Sequence, residues 1–230
     1  MCGRLSDNLT WSQICDLYSL KLTILEGIRL PLFNVAPTQA LPVVVAADGT
    51  RTLQAMRWGF PSMWLPEPWA GRPLINAVAE EAAKKPTWSK ALRERRCLVP
   101  TSGFYEWQKV GKKRYPLWFR PAHGEVLTLA GLWGEFEKEG ERIRCVSILT
   151  VANNADLEGV HDRMPVILPE GDWATWLDPK TPAAAVQALL QPAPNGTLAA
   201  SEVSTDLNRW QASGPGVLTA DWSRAALPAP

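Results

Sequence analysis

One α+β domain, built on a central antiparallel, barrel-like β-sheet with short flanking helices, is the fold this sequence predicts, on three observations. Five strand-like segments follow one another between Cys97 and Val151, joined by short turns. Helical spacing appears only in short stretches near the start, in the middle and late in the chain. No internal repeat and no long biased linker divides the 230 residues, and 46% hydrophobic content supplies an ample core. A single domain over residues 1–230 is the expectation.

Taken in order, Cys2 sits on a first short strand. Leu9, Ile14, Leu17 and Tyr18 then fall at helical spacing within Asn8–Leu20, with Asp7 or Thr10 as the cap. Phe33-Asn34-Val35-Ala36-Pro37 reads as an extended loop, because Pro37 disfavours the α conformation at Ala36. Leu41–Ala46 and Thr52–Trp58 flank Asp48-Gly49, a dipeptide suited to a hairpin turn with positive φ. Gly59–Pro73, with its prolines and with Trp64 and Trp69, reads as an ordered loop able to present aromatics. Ala79–Arg95 favours two short helices broken at Pro86, bearing Lys84, Lys85, Lys90, Arg93 and Arg95, with Arg96 just beyond. Strands follow at Cys97–Pro100, Phe104–Lys109, Tyr115–Arg120, Val126–Trp133 and Ile143–Val151, with a turn at Gly111. Asn153–Gly159 predicts a helical turn, Pro165–Leu168 a strand, and Gly171–Leu177 and Ala183–Leu190 helices. A loop beyond Gln191 precedes a strand at Ala200–Ser204, and Ala225–Pro230 reads as a loose end.

Composition bounds the chemistry. A net charge of +1 means that an anionic partner must be held by a local basic patch. Cys2, Cys15, Cys97 and Cys145 form no C-x-x-C pair, and with only His123 and His161 beside them a metal site is not expected. No cofactor is called for. The cysteine pattern fits a reducing compartment, and the chain shows no apolar run of membrane length and no secretory leader, so a cytoplasmic protein away from membranes is expected. Nothing in the sequence argues for a symmetric interface, so a monomer is the default.

The first residues, Met1-Cys2-Gly3-Arg4, carry the sharpest chemical signal. Removal of Met1 leaves a cysteine with its α-amine beside its own thiol. The amine condenses with an aldehyde to an imine, and the thiol then closes on the same carbon to a five-membered thiazolidine. Reference pKa values of about 7.7–8.0 and about 8.5 leave roughly a tenth of each group nucleophilic near neutral pH without tuning. Three further clusters stand out: Leu74-Ile75-Asn76-Ala77, Gly103-Phe104-Tyr105-Glu106-Trp107, and His161-Asp162-Arg163-Met164-Pro165. Singly, each has an ordinary reading: Asn76 as a helix cap, Glu106 as a solvent-facing strand residue, His161 as a surface or core histidine.

Together with Phe33–Pro37, Arg57-Trp58-Gly59, Arg96–Pro100, Ala130–Trp133 and His161–Val166, these motifs run in order across most of the chain. The chain thereby resembles the SOS response-associated peptidase (SRAP) family, with about the last forty residues matching weakly. The resemblance implies a protein that recognises abasic sites in single-stranded DNA, where the opened sugar exposes an aldehyde. The mature N-terminal cysteine would cross-link to that aldehyde as a thiazolidine and shield the lesion. It further implies that Cys2 supplies both nucleophiles and that Asn76 positions the opened sugar. Glu106 would move protons during imine formation, ring closure and reversal, a role suited to a carboxylate whose pKa is raised by apolar neighbours. His161 would donate to the sugar or phosphate oxygen, assisting ring opening and weak β-elimination. Arg4 and Arg163 would hold phosphates, Trp64 would stack on or wedge against a base, and Asn34 lies in a motif on the same DNA-binding side. Association with the nucleoid follows when the protein acts on DNA.

One departure matters. Where the family continues Asn-Ala with an arginine, this chain has Val78, which predicts weaker and less salt-dependent DNA binding. Two other readings stay open. Cys2 would equally suit an N-terminal nucleophile for amide hydrolysis, acting at least on its own Met1. A non-catalytic single-strand binding module is the third.

Overall fold

The computed structural model of the chain describes residues 2–62, 71–138 and 140–226. Its centre is a closed barrel of five strands: β3 (Ala40–Ala47), β4 (Thr50–Trp58), β6 (Arg96–Thr101), β9 (Leu127–Lys138) and β10 (Glu141–Ala152). They pair in the order β10-β4-β3-β6-β9, and β9 returns to β10 to complete the ring. Closure removes the free edges that an open sheet would leave. Its strands are aliphatic on both faces: Leu41, Val43, Leu129 and Ile148 are fully buried on one, and Val44 and Leu98 on the other.

The predicted barrel is therefore present, with one correction. Most pairings are antiparallel, but β10 runs parallel to β4 (Cys145 opposite Arg57) and to β5 (Asn76–Val78). The β3–β4 hairpin turns on Asp48 (φ 50°) and Gly49 (φ 75°), the two positive φ values that a two-residue turn of this kind needs.

A second sheet of five strands lies beside the barrel in the order β12-β8-β7-β1-β2. It comprises β1 (Leu5–Asp7), β2 (Leu32–Val35), β7 (Gly103–Val110), β8 (Lys113–Pro121) and β12 (Leu198–Glu202). Residues 33–35, expected as loop, are thus strand, because β2 pairs with β1 (Leu5 opposite Val35). Cys2 precedes the strand expected to contain it, since β1 begins at Leu5.

Gly103 shows how tightly β1, β7 and β8 meet. A Cβ there would lie 2.5 Å from Phe119 O and collide with the Trp118 indole, whose Nε1 donates to Ser6 Oγ at 2.9 Å. Only glycine fits this crossing.

The helices are short and peripheral. α1 (Trp11–Leu17) is capped by Thr10, with a reciprocal Gln13 contact, while Asp7 is not a cap but a fully buried residue of β1. α2 (Ala79–Ala82) and α3 (Pro86–Glu94) are the two helices expected around Pro86. Arg96, grouped in sequence with their solvent-facing cations, is instead a buried clamp. It donates to the α3 carbonyls of Leu92 (2.6 Å) and Arg93 (2.9 Å) and to Trp176 O (2.5 Å).

Further on, Ala155–Leu157 is a 3-10 turn, and β11 (Arg163–Pro165) begins two residues before the strand predicted at Pro165, with Ile167 reduced to a bridge to Leu129. Next come α4 (Trp173–Leu177) and α5 (Ala183–Ala188). After β12, two 3-10 turns, Thr205–Asn208 and Pro215–Leu218, strap back across the second sheet, and Arg224–Ala226 forms another. Trp64 and Trp69, expected on an ordered loop, and the last four residues lie outside the described residues. No helix among the described residues is long and apolar enough to cross a membrane. The four cysteines are free and buried.

Candidate active site

β1 and β7 run side by side, with Tyr105 N donating to Arg4 O at 2.9 Å, and this pairing brings the chain start against Glu106. β5 arrives from the other side along β10, where Asn76 faces Ile148. Asn76 is therefore a strand residue and not a helix cap. Its Nδ2 donates to Cys2 O at 2.8 Å, while its Oδ1 is buried with no hydrogen-bond partner.

Cys2 is fully buried, and burial, followed by the nearby Glu106 charge, pushes its thiol well above the usual range. This corrects the expectation of an untuned thiol: the sulfur is held protonated until something accepts its proton. Glu106 is 5% exposed between aromatic neighbours, and desolvation raises its carboxyl pKa, with His161 pulling in the opposite direction. A carboxyl so placed keeps its proton more readily than a solvated one, which suits a group that must both take and give a proton.

His161 sits on the turn after the 3-10 segment, fixed by Asn153 Nδ2 to His161 O (2.8 Å) and by His161 N to Leu157 O (3.2 Å). Its Nδ1 lies 2.9 Å from the Arg163 N–H and 2.8 Å from Asp162 Oδ1. The first contact needs a lone pair on Nδ1 and the second a proton, so only one holds at a time. With Nδ1 accepting from Arg163, the neutral ring carries its proton on Nε2. Glu106, Trp107 and His161 line one polar cavity of about 520 Å³, together with Lys109, Arg114 and Asp162.

The phosphate candidates are more committed than sequence suggests. Arg163 forms a two-pronged pair with Glu80 (2.8 and 2.7 Å) and also donates to Thr150 O. Arg4 is partly buried, donates to Asn34 Oδ1 at 2.6 Å and lies over the Trp107 ring at 5.8 Å. Asn34 in turn donates to Ala212 O at 2.6 Å, and Trp107 Nε1 to Asn208 Oδ1 at 2.8 Å. The C-terminal strap thus fastens Arg4, Asn34 and Trp107. Sequence reading missed it, since short 3-10 turns leave no periodicity. Trp64 lies outside the described residues. No cluster able to hold a metal ion occurs among the described residues.

Comparisons with known proteins identify relatives of the chain. A family model described as SOS response associated peptidase (SRAP) matches residues 1–210. The chain is 31% identical over 221 residues to the abasic site processing protein YoqW of Bacillus subtilis, covering 95% of this chain and 99% of that one. It is 32% identical over 218 residues to the abasic site processing protein HMCES of Gallus gallus, covering 80% of this chain and 64% of the other. Among solved structures, a protein from Bacteroides thetaiotaomicron superposes with a TM-score of 0.80 at 21% identity, over 96% of this chain and 100% of that one.

Proposed function

The chain belongs to the SOS response associated peptidase (SRAP) family, and from that membership we propose that it processes abasic sites by covalent capture on single-stranded DNA. The observation that carries this reading is the convergence of Cys2, Asn76 and Glu106 at the chain start, with His161 acting on Glu106 across the cavity.

After loss of Met1, the Cys2 α-amine adds to the aldehyde carbon of the opened sugar, and one water leaves to give the imine. The thiol then adds across the C=N bond: a C–S bond forms, Glu106 takes the thiol proton, and a proton reaches the ring nitrogen. The product is protein plus abasic strand minus one water. A thiol held protonated by burial suits this order, in which the amine acts first and the sulfur waits for the imine. The unpartnered Asn76 Oδ1 is an acceptor for a sugar hydroxyl or the condensing nitrogen. When Nδ1 accepts from the Arg163 N–H, His161 presents an Nε2 proton as a donor for the sugar or phosphate oxygen.

The hydrolase reading gains less support. The Asn76 amide donates to the Cys2 carbonyl, one residue beyond the bond that Met1 removal breaks. The test is intact mass of the protein, alone and after incubation with a uracil-containing single strand treated with uracil glycosylase. The expected result is an N-terminus lacking Met1 and a denaturation-stable adduct at Cys2. Cys2→Ala should abolish it, and Cys2→Ser should leave an imine trappable by borohydride. A processed N-terminus with no adduct sinks the proposal.

A further inference from the structure

The cations named by motif are largely spoken for. Arg163 is neutralised by Glu80, Arg4 is packed on Trp107 beneath the strap, and position 78 is valine. Yet the cavity holding Glu106 and His161 is flanked by two further cations, Lys109 and Arg114. They stand directly opposite each other across β7 and β8.

The turn between those strands adds Lys112, and the start of β8 adds Lys113, so residues 109–114 carry four cations and no acid, and all four are exposed. None of the four forms an ion pair among the described residues. The carboxylates facing this cavity are Glu106, buried with a raised pKa, and Asp162, which is 88% exposed and set against His161. Like charges directly opposite in a sheet oppose pairing. The fold gains nothing from them, and in a chain of net charge +1 they form a concentrated positive arm. The arm is also anchored: Asn208 accepts from Trp107 Nε1 at 2.8 Å and donates to Arg114 O at 3.4 Å, which fixes the hairpin to the C-terminal strap.

We infer that the β7–β8 hairpin is a phosphate-binding arm, with Lys109 and Arg114 holding the backbone beside the lesion and Lys112 and Lys113 holding the phosphates that follow. The inference rests on the abasic-site reading for its ligand, single-stranded DNA. Lysines serve here as point charges without base preference, so the arm adds affinity independent of sequence.

The experiment measures binding of a fluorescent oligothymidylate across a salt series by the wild type and two variants. One replaces Lys109, Lys112, Lys113 and Arg114 with alanine. The other replaces Lys84, Lys85, Lys90 and Arg93, removing the same charge from the exposed side of the α3 region. Each phosphate that the protein no longer neutralises lowers the slope of log K against log salt by about 0.7, so three such phosphates lower it by about 2. The hairpin variant should show that drop, with at least about tenfold weaker binding near 0.1 M salt. The α3 variant should keep the wild-type slope. An unchanged slope in the hairpin variant, or an equal fall in both, overturns the inference. Lys112→Glu with Lys113→Glu, confined to the exposed tip of the hairpin, repeats the test should the fourfold variant fail to fold. Cross-link yield on an abasic strand at saturating protein separates the two readings. A wild type that makes no adduct but shows the hairpin-dependent slope defeats the covalent mechanism and leaves the arm standing. A wild type that makes the adduct while hairpin and wild-type slopes agree defeats the arm alone.

Discussion

Asp7 offers a stability prediction whose size follows from its surroundings. The side chain is fully buried at the end of β1, and neither oxygen has a hydrogen-bond partner. The adjacent Thr101 hydroxyl is shared with Ser6 O (2.7 Å) and Gly103 O (2.8 Å). Burial therefore pushes the Asp7 carboxyl up to about 8, from 3.8, and the Thr101 hydroxyl offsets only part of this. The folded chain keeps a proton that the unfolded chain releases near pH 4, so stability is full below pH 4 and is lost as pH rises to about 8. Each pH unit in that window costs about 1.4 kcal/mol, and the whole window at most about 6 kcal/mol. Asp7→Asn copies the protonated form and cannot ionise. Urea unfolding of both proteins at pH 5, 6, 7, 8 and 9 gives the difference between them. Any fixed change from the amide moves that difference by a constant, whereas ionisation tilts it, in favour of Asn, by about 1.4 kcal/mol per unit up to pH 8. A difference that stays flat within about 0.5 kcal/mol would refute the account and place a proton donor beside Asp7.

Three more outcomes follow. Glu106→Gln should slow cross-link formation by about 10²–10⁴ while leaving affinity for an unreactive abasic analogue unchanged. In the wild type, single-turnover rates should climb as pH passes through the raised Glu106 pKa, and the variant should lose that limb; equal profiles would remove Glu106 from proton transfer. Val78→Arg should steepen the salt slope for single strands by about 0.7 for each phosphate it newly neutralises, and an unchanged slope would mean that position 78 does not reach the backbone. Gly103→Ala should cost about 1–3 kcal/mol through the collision with Phe119 O and Trp118, read as a lowered melting temperature, and a wild-type melt would show that the crossing relaxes freely.

Strands were legible where they are long and paired locally: β3–β4 in the barrel and β7–β8 in the second sheet announce themselves through Asp48-Gly49 and Gly111. β1 and β5 were not. Each spans three residues and is defined by partners far along the chain, Phe104 and Val35 for the first and Ile148 for the second, so no local pattern marks them. The same reason hid the strand character of Asn76. At the candidate site, motif order pointed to Cys2, Asn76, Glu106 and His161, and the fold sets Cys2 beside Asn76 and within reach of the Glu106 charge, with Glu106 and His161 on one cavity. What motif reading passed over was partnership. The Glu80 that occupies Arg163 and the Asn208 that fastens Trp107 lie on separate elements, and no spacing relates them. The cations at 109–114 were visible as a run flanking a glycine turn, but their meaning depended on which cavity the hairpin borders.

The contact between the two ends of the chain carries a consequence for biosynthesis. Arg4 reaches Leu207 O, and Asn34 reaches Ala212 O, so these contacts close only once residues 207–212 have been made. Even the nearer partners, Glu106 and the β10 strand beside Asn76, are translated about 100 to 150 residues after Cys2, which at 5–20 residues per second is on the order of ten seconds. During that interval the chain start has no sheet to join, and an aminopeptidase meets it as an open peptide. Folding then withdraws the cysteine from solvent. Removal of Met1, on which the proposed capture depends, therefore has its opening before burial: the cysteine is accessible while the chain is being made and enclosed once the sheets have formed.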